Sequence, residues 1–194
     1  MTTLFQKYII QNMKTGKKNL DIIGATEYVD VVGIQDIPAK VDTGADSSAI
    51  WASQIRMSKD GILEFCLFGK DSPFYTGEII KRKDFKVAVI RSSSGHEQIR
   101  YRTHLSINLK GHKIKVLFSL ANRSNNNYPI LIGRRTIAGK FLVDVSEKHT
   151  NIRSKSKKTL IAQQRLEKDP YLFHKKYVEG AFENPSNIIL EKKG

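Results

Sequence analysis

Cysteine is almost missing from this 194-residue chain: Cys66 stands alone, so no disulfide can form within it. It sits in Ile62-Leu63-Glu64-Phe65-Cys66-Leu67-Phe68, an apolar run that predicts a strand, with no histidine nearby to activate the thiol. No apolar run approaches the ~20 residues that a membrane-crossing helix needs. Met1 to Gln11 lacks a basic stretch followed by a long apolar one, so no secretory signal is expected and a cytoplasmic location is. No Gly-rich loop runs into Lys-Ser or Lys-Thr, which removes the usual phosphate cradle of nucleotide-binding proteins. The histidines are His96, His104, His112, His149 and His174; they form no His-Glu-x-x-His and have no cysteine partner. A calcium loop beginning at Asp42 would put Gly44 at a ligand position and Ser53 where a glutamate is needed. No metal and no cofactor are therefore expected.

Charge of one sign is scarce by contrast with the other: 33 basic residues face 19 acidic ones, a formal net charge of +14. Its placement decides what it means. Residues 1–20 carry four lysines and no acid, residues 148–194 carry 11 basic and 5 acidic residues, and the middle carries 18 and 14. Most of the excess lies in the tails, which suits contact with acidic partners or simple solvation, and no zinc-finger or aromatic-basic motif accompanies it. Three segments follow: a basic N-terminal tail (1–20), one domain (21–147) and a basic C-terminal extension (148–194).

Within the domain, Ala39-Lys40-Val41 leads as a strand into Asp42-Thr43-Gly44-Ala45, and Ser47-Ser48-Ala49-Ile50-Trp51 leads out. An Asp-Thr-Gly at a strand end is the catalytic signature of aspartic proteases: the carboxylate faces a cleft, and glycine lets backbone approach it. Chance would supply roughly 0.03 copies in a chain of this composition. Far downstream, Tyr128-Pro129-Ile130-Leu131-Ile132-Gly133 reads as a buried strand ending in a tight junction, the element that buttresses such a loop. Arg134 to Ala138 follows as a short helix stopped by Gly139, and Phe141-Leu142-Val143 returns as a strand.

Further blocks stand in the same order: Ile22-Ile23-Gly24 before Glu27-Tyr28-Val29, Ser92-Ser93-Ser94-Gly95-His96, Asn122-Arg123-Ser124, and Gly139-Lys140-Phe141-Leu142-Val143-Asp144. With them the chain resembles, over about Ile22 to Val145, the retropepsin-like proteins that carry the name ATP-dependent zinc proteases and are associated with ribosomal-protein glutamate ligases. The resemblance implies an all-β, retropepsin-like closed barrel with a short helix after the buttress strand and a partly helical C-terminal tail. It implies peptide hydrolysis by Asp42 with Thr43 and Gly44, on a glutamate-rich acidic peptide and in the setting of a ribosomal protein. Lys40 and Arg134 are candidate cations for such a substrate. The alternative is a non-catalytic binding module of the same fold. Asp46 departs from the family pattern, where a neutral or basic residue is expected; its charge would disfavour ionisation of Asp42.

Strands are expected at 26–32, 38–42, 62–68, 75–80, 85–91, 98–109, 112–120, 129–132 and 141–144. A turn at Lys110-Gly111 would set His104 opposite Leu117 and Leu109 opposite His112. Ser156 to Leu166 is helix-compatible, Asp169-Pro170 breaks it, and the last 25 residues read as irregular. Aspartic proteolysis needs two carboxylates sharing one proton. The chain has one Asp-Thr-Gly and no Asp-Ser-Gly, so a symmetric homodimer with Asp42 from each protomer is expected. Asp144 is the rival second carboxylate within the chain, with a turn or cap role preferred for it.

Overall fold

The computed structural model describes residues 20–91, 97–152 and 157–179. Eleven strands and three helices occur among them: β1 (Asp21–Gly24), β2 (Thr26–Val31), β3 (Ile34–Asp42), β4 (Ser48–Met57), β5 (Leu63–Leu67), β6 (Ile80–Arg82), β7 (Lys86–Arg91), β8 (Glu97–Leu109), β9 (His112–Ala121), β10 (Ile130–Gly133), α1 (Arg134–Ile137), β11 (Phe141–Asp144), α2 (Lys157–Lys168) and α3 (Pro170–Tyr177). The fold is the mostly-β closed barrel that the sequence implied.

Closure can be followed strand by strand. The order β10-β3-β2-β8-β9-β4 returns to β10 through a β10–β4 pairing, so six strands leave no open edge among themselves. β10–β3 and β4–β9 are parallel. The interior is filled from alternate positions: on β8, Thr103, Leu105, Ile107 and Leu109 are all buried. Phe65, Phe68 and Phe118 are among the largest fully buried side chains, each stabilising the fold by about 1.5–3 kcal/mol relative to exposure. Cys66 is a buried free thiol on β5, as its apolar neighbours predicted.

The hairpin of β8 and β9 turns at Lys110 (φ 51°) and Gly111 (φ 81°), the positive-φ pair that a two-residue hairpin turn requires. Its register sets His104 opposite Leu117 and Leu109 opposite His112, as read from the sequence. β1 and β11 form a separate parallel pair. Glu27, 6% exposed, ties that region together: its Oε1 accepts from Gly24 N at 2.6 Å and from His149 Nδ1 at 2.7 Å. Asp144 closes a turn, accepting from Ser146 N at 2.9 Å and Ser146 Oγ at 2.6 Å, bonds that hold its carboxyl below the usual range. The turn role preferred for it is the one it plays.

Two expectations need correction. Residues 75–80 are not a strand; only Ile80 belongs to β6. Ser72 and Thr76 side chains accept from Phe74 N and Glu78 N, and Gly77 has φ 76°, so local turns take the backbone groups a ladder would use. Nor is the described part of the chain after Asp169 irregular, since Pro170–Tyr177 is a helix. Asp169 caps α3, accepting from Leu172 N at 2.9 Å, with Pro170 in its first turn. The Asp-Pro pair that stops one helix starts the next. The chain divides into two compact units between Asn151 and Ile152. In the second, α2 and α3 are joined where Arg165 donates to the Tyr177 hydroxyl at 2.6 Å. No helix among the described residues is long and apolar enough to cross a membrane. The Ser92–His96 block and the outer parts of both basic tails lie outside the described residues.

Candidate active site

Asp42 is the last residue of β3, and its register partner on β10 is Gly133. The carboxylate is half-buried, and its Oδ1 accepts from Gly44 N at 3.1 Å and Ala45 N at 3.2 Å. Two N–H donors on one oxygen fix the carboxylate's orientation. The Asp42 carbonyl also accepts from Ala45 N, so residues 42–45 form a closed turn. A Cβ on Gly44 would stand 3.4 Å from Oδ1, close against the carboxylate.

The turn is held from below. A Cβ added to Gly133 would lie 2.6 Å from Ser47 C and O and 2.9 Å from Ala45 O, distances that no side chain tolerates. Only glycine lets β10 end this close to the loop. Gly133 N donates to Ser48 Oγ at 3.0 Å, and Ser48 Oγ pairs with Thr136 Oγ1 at 2.8 Å, both serine and threonine being buried. The first helical N–H groups find partners in the loop: Arg134 N donates to Ala45 O at 2.9 Å and Arg135 N to Asp46 O at 3.3 Å. These are donors that a helix start leaves unpaired, so α1 and the loop complete each other. Pro129 precedes the strand and its carbonyl accepts from Trp51 N at 2.9 Å.

Asp46 does not act as an uncompensated charge beside Asp42. Partial desolvation pushes its carboxyl up, but bonds and charge from Arg135 (2.8 Å) and Arg134 (3.3 Å) outweigh this and hold it below the usual range. The departure noted in the sequence is thus matched by two following arginines. The side chain of Arg134, a candidate substrate cation, is on Asp46 and 61% exposed. Lys40 is exposed, two residues before Asp42 on β3. Thr43 is exposed, and its hydroxyl has no hydrogen-bond partner among the described residues.

A further cation, missed in the sequence, lies within reach of the Asp42 charge. Arg123 is half-buried in the loop after β9, with Nε donating to Tyr128 O at 3.1 Å. Burial pushes its guanidinium below the ordinary value, the like charge of Arg100 adds to this, and the negative charge of Asp42 opposes it. Its neighbours Asn122 and Ser124 line a groove of 590 Å³ together with Trp51, Gln54, Arg100 and Tyr101. The groove carries one cation, Arg100, with polar side chains, and the loop bearing Arg123 borders it. Neither other candidate carboxylate is free to join Asp42: Asp46 is bound by arginines and Asp144 closes its own turn.

Asp42 and Gly133 are neighbours across β3 and β10, and Gly44 packs against the Asp42 carboxylate. Among the described residues no three His, Cys, Asp or Glu side chains cluster to hold a metal.

Three comparisons bear on this geometry. A protein named probable alpha-L-glutamate ligase from Shewanella halifaxensis is 36% identical over 134 residues, which cover 66% of this chain and 29% of that protein. The same name is carried by a Shewanella pealeana protein, 35% identical over the same shares. The chain thus spans less than a third of the length of these curated relatives. A structural-genomics crystal structure of a Legionella pneumophila protein of unknown function matches at TM-score 0.50 and 24% identity, covering 69% of this chain and 98% of that one; it supports the fold alone. Residues 22–154 match the model described as RimB-like, retropepsin-like aspartic endopeptidase RimB, a description without the zinc that the resemblance's name carried. With the fold, the Asp42 turn and this match in agreement, the chain belongs to the RimB-like family of retropepsin-like proteins.

Proposed function

We propose that this protein is an aspartic-type peptidase that hydrolyses peptide bonds as a homodimer, with Asp42 of each protomer forming the catalytic pair. The observation that carries this reading is the Asp42 turn: a carboxylate oriented by two N–H groups, on a loop pinned by Gly133 and α1. One Asp42 takes a proton from the attacking water as general base, while its protonated counterpart polarises the scissile carbonyl and later protonates the leaving amine. Thr43 and Gly44, exposed beside it, complete the loop that meets the second protomer.

The substrate in this reading is a glutamate-rich acidic peptide, such as the tail of a ribosomal protein. Support comes from the arginines: Arg123 and Arg100 are held near one another where a peptide carboxylate would relieve their repulsion. Lys40 and Arg134 are further cations on the flanks. Relatives that carry a similar stretch are named glutamate ligases, which favours a substrate containing ligated glutamate. Those names also favour a second reading, a binding module of the same fold that holds an acidic partner without cleaving it.

One experiment separates them. Wild-type protein and Asp42→Asn are incubated with an oligoglutamate peptide and a neutral peptide, with and without a chelator, and products are followed by mass spectrometry. Cleavage of the acidic peptide by wild type, lost by about 10²-fold or more in the variant with folding unchanged, supports the peptidase. Arg123→Ala should weaken the acidic peptide alone, by about tenfold to a hundredfold. Binding without cleavage by both proteins selects the module, and activity lost to chelator and restored by zinc contradicts the aspartic mechanism.

A further inference from the structure

Beside α1 lies a second pocket, of 110 Å³, that the peptidase reading does not use. Four cationic side chains from separate parts of the chain line it: Arg102 of β8, Lys115 of β9, Arg135 of α1 and Lys140 of the following turn, with Ser47 at its edge. No acidic residue lines it. The nearest compensation is Asp46, which bonds Arg135 but is shared with Arg134. Among its lining residues the pocket therefore holds an excess of positive charge at short range, which an added anion would offset.

A second observation points the same way. Arg102 and Ser119 are register partners across β8 and β9. Arg102 Nε and Ser119 Oγ are both buried and both lack a hydrogen-bond partner among the described residues. Buried polar atoms are nearly always paired, and leaving one unmade is costly. Arg102 lines the pocket and Ser119 is its cross-strand neighbour, so an unpaired guanidinium donor stands at a pocket walled by cations, where an acceptor would satisfy it. Its size limits the choice. At 110 Å³ against 590 Å³ for the groove, this pocket suits a compact charged group better than an extended segment of a ligand.

We propose that this pocket binds a single oxyanion group of phosphate type, held by the Arg102 and Arg135 guanidinium groups and the Lys115 and Lys140 ammonium groups. Guanidinium forks match oxyanion geometry, and lysines add point charge. The site reaches the Asp42 loop through two residues. Ser47 belongs to that loop, and Arg135 is also the closest partner of Asp46. A bound anion competes with Asp46 for Arg135, so occupancy alters the hold on the loop that carries Asp42. Phosphate as a free ion and phosphate in a nucleic-acid backbone present the same chemistry to these residues.

The test is a ¹H–¹⁵N correlation titration of the full chain with inorganic phosphate, against chloride at matched ionic strength, and with a short single-stranded oligonucleotide in a second arm. Phosphate should move the amides of Ser47, Leu117 and Thr136 saturably, and chloride should not. Arg102→Met should weaken the effect by about tenfold to a hundredfold; if that variant fails to fold, Lys140→Met is read in its place, with a smaller loss expected. Lys59→Met, in the turn after β4 and so at the opposite end of that strand from Ser47 and Ser48, should leave it unchanged. An oligonucleotide that moves the same amides at lower phosphate concentration identifies a polymer backbone as the source, whereas inorganic phosphate acting alone identifies the free ion. Shifts that grow linearly, that chloride reproduces, or that persist in both Arg102→Met and Lys140→Met would overturn the proposal. Because the readout is binding, its failure leaves the peptidase reading standing, and the reverse also holds.

Discussion

The Asp42 turn and the β7–β8 hairpin are both parts of one sheet, yet they are held in opposite ways. The base of the turn is held throughout: Gly133 from below, Ser48 and Thr136 at the flank, and the first N–H groups of α1 on its carbonyls. The hairpin carries Val87, Val89 and Ile99 at 62%, 63% and 73% exposure, with Val89 opposite Ile99 and no core beneath them. One strand shows both regimes. β8 buries Thr103 through Leu109 on alternate positions, then continues the same alternation outward through Ile99, beyond the barrel's interior. Apolar alternation therefore marks a pleated face and does not by itself say that anything covers it. What distinguishes the turn is satisfied backbone and close approach, and these make it rigid enough to orient a carboxylate.

The largest break in this contrast should come from Gly133→Ala. The added methyl enters backbone at 2.6 Å, so the loop or β10 must shift, at a cost of about 1–3 kcal/mol or more. Thermal unfolding should show the loss, and cleavage should fall further than stability because the Asp42 geometry moves. A smaller effect is expected at Asp46. Its folded pKa lies below the ordinary value, so the pairing stabilises at pH values above the unfolded pKa and is lost as pH falls through the folded one. Melting curves of wild type and Asp46→Asn should therefore differ near neutrality and converge in acid below the usual carboxylate range; a constant gap would place the effect elsewhere. The smallest effect belongs to the hairpin: Val89→Lys should change stability by about 0.5 kcal/mol or less in denaturant unfolding. A loss as large as that of Gly133→Ala would mean that the hairpin is packed after all.

Much of this arrangement was legible in the chain. The Asp42 motif and the Ile130–Gly133 strand could be paired at a distance because both obey hard local constraints, a carboxylate turn and a glycine at a strand end. The Lys110-Gly111 turn fixed the β8–β9 register because positive φ at two residues leaves few alternatives. Closure of the barrel through the parallel β4–β9 pair was not legible, since no local pattern encodes a pairing of Trp51 with Ala121. Arg123 was missed for a similar reason. It lies in an aperiodic loop, and only the fold brings its charge to bear on Asp42 and Arg100. The helix from Pro170 was lost because Asp-Pro reads equally as a stop and as a cap followed by a first turn.

The central claim is that two Asp42 carboxylates, one per chain, make one site. The most direct test mixes wild-type protein with Asp42→Asn at fixed total concentration, under conditions that exchange subunits, and follows cleavage of an oligoglutamate peptide. If the pair is required, mixed dimers are dead and activity follows the square of the wild-type fraction, so an equal mixture keeps about a quarter of the full rate. Activity that instead falls in simple proportion, to about half in the equal mixture, would mean that each chain works alone, and would contradict the account.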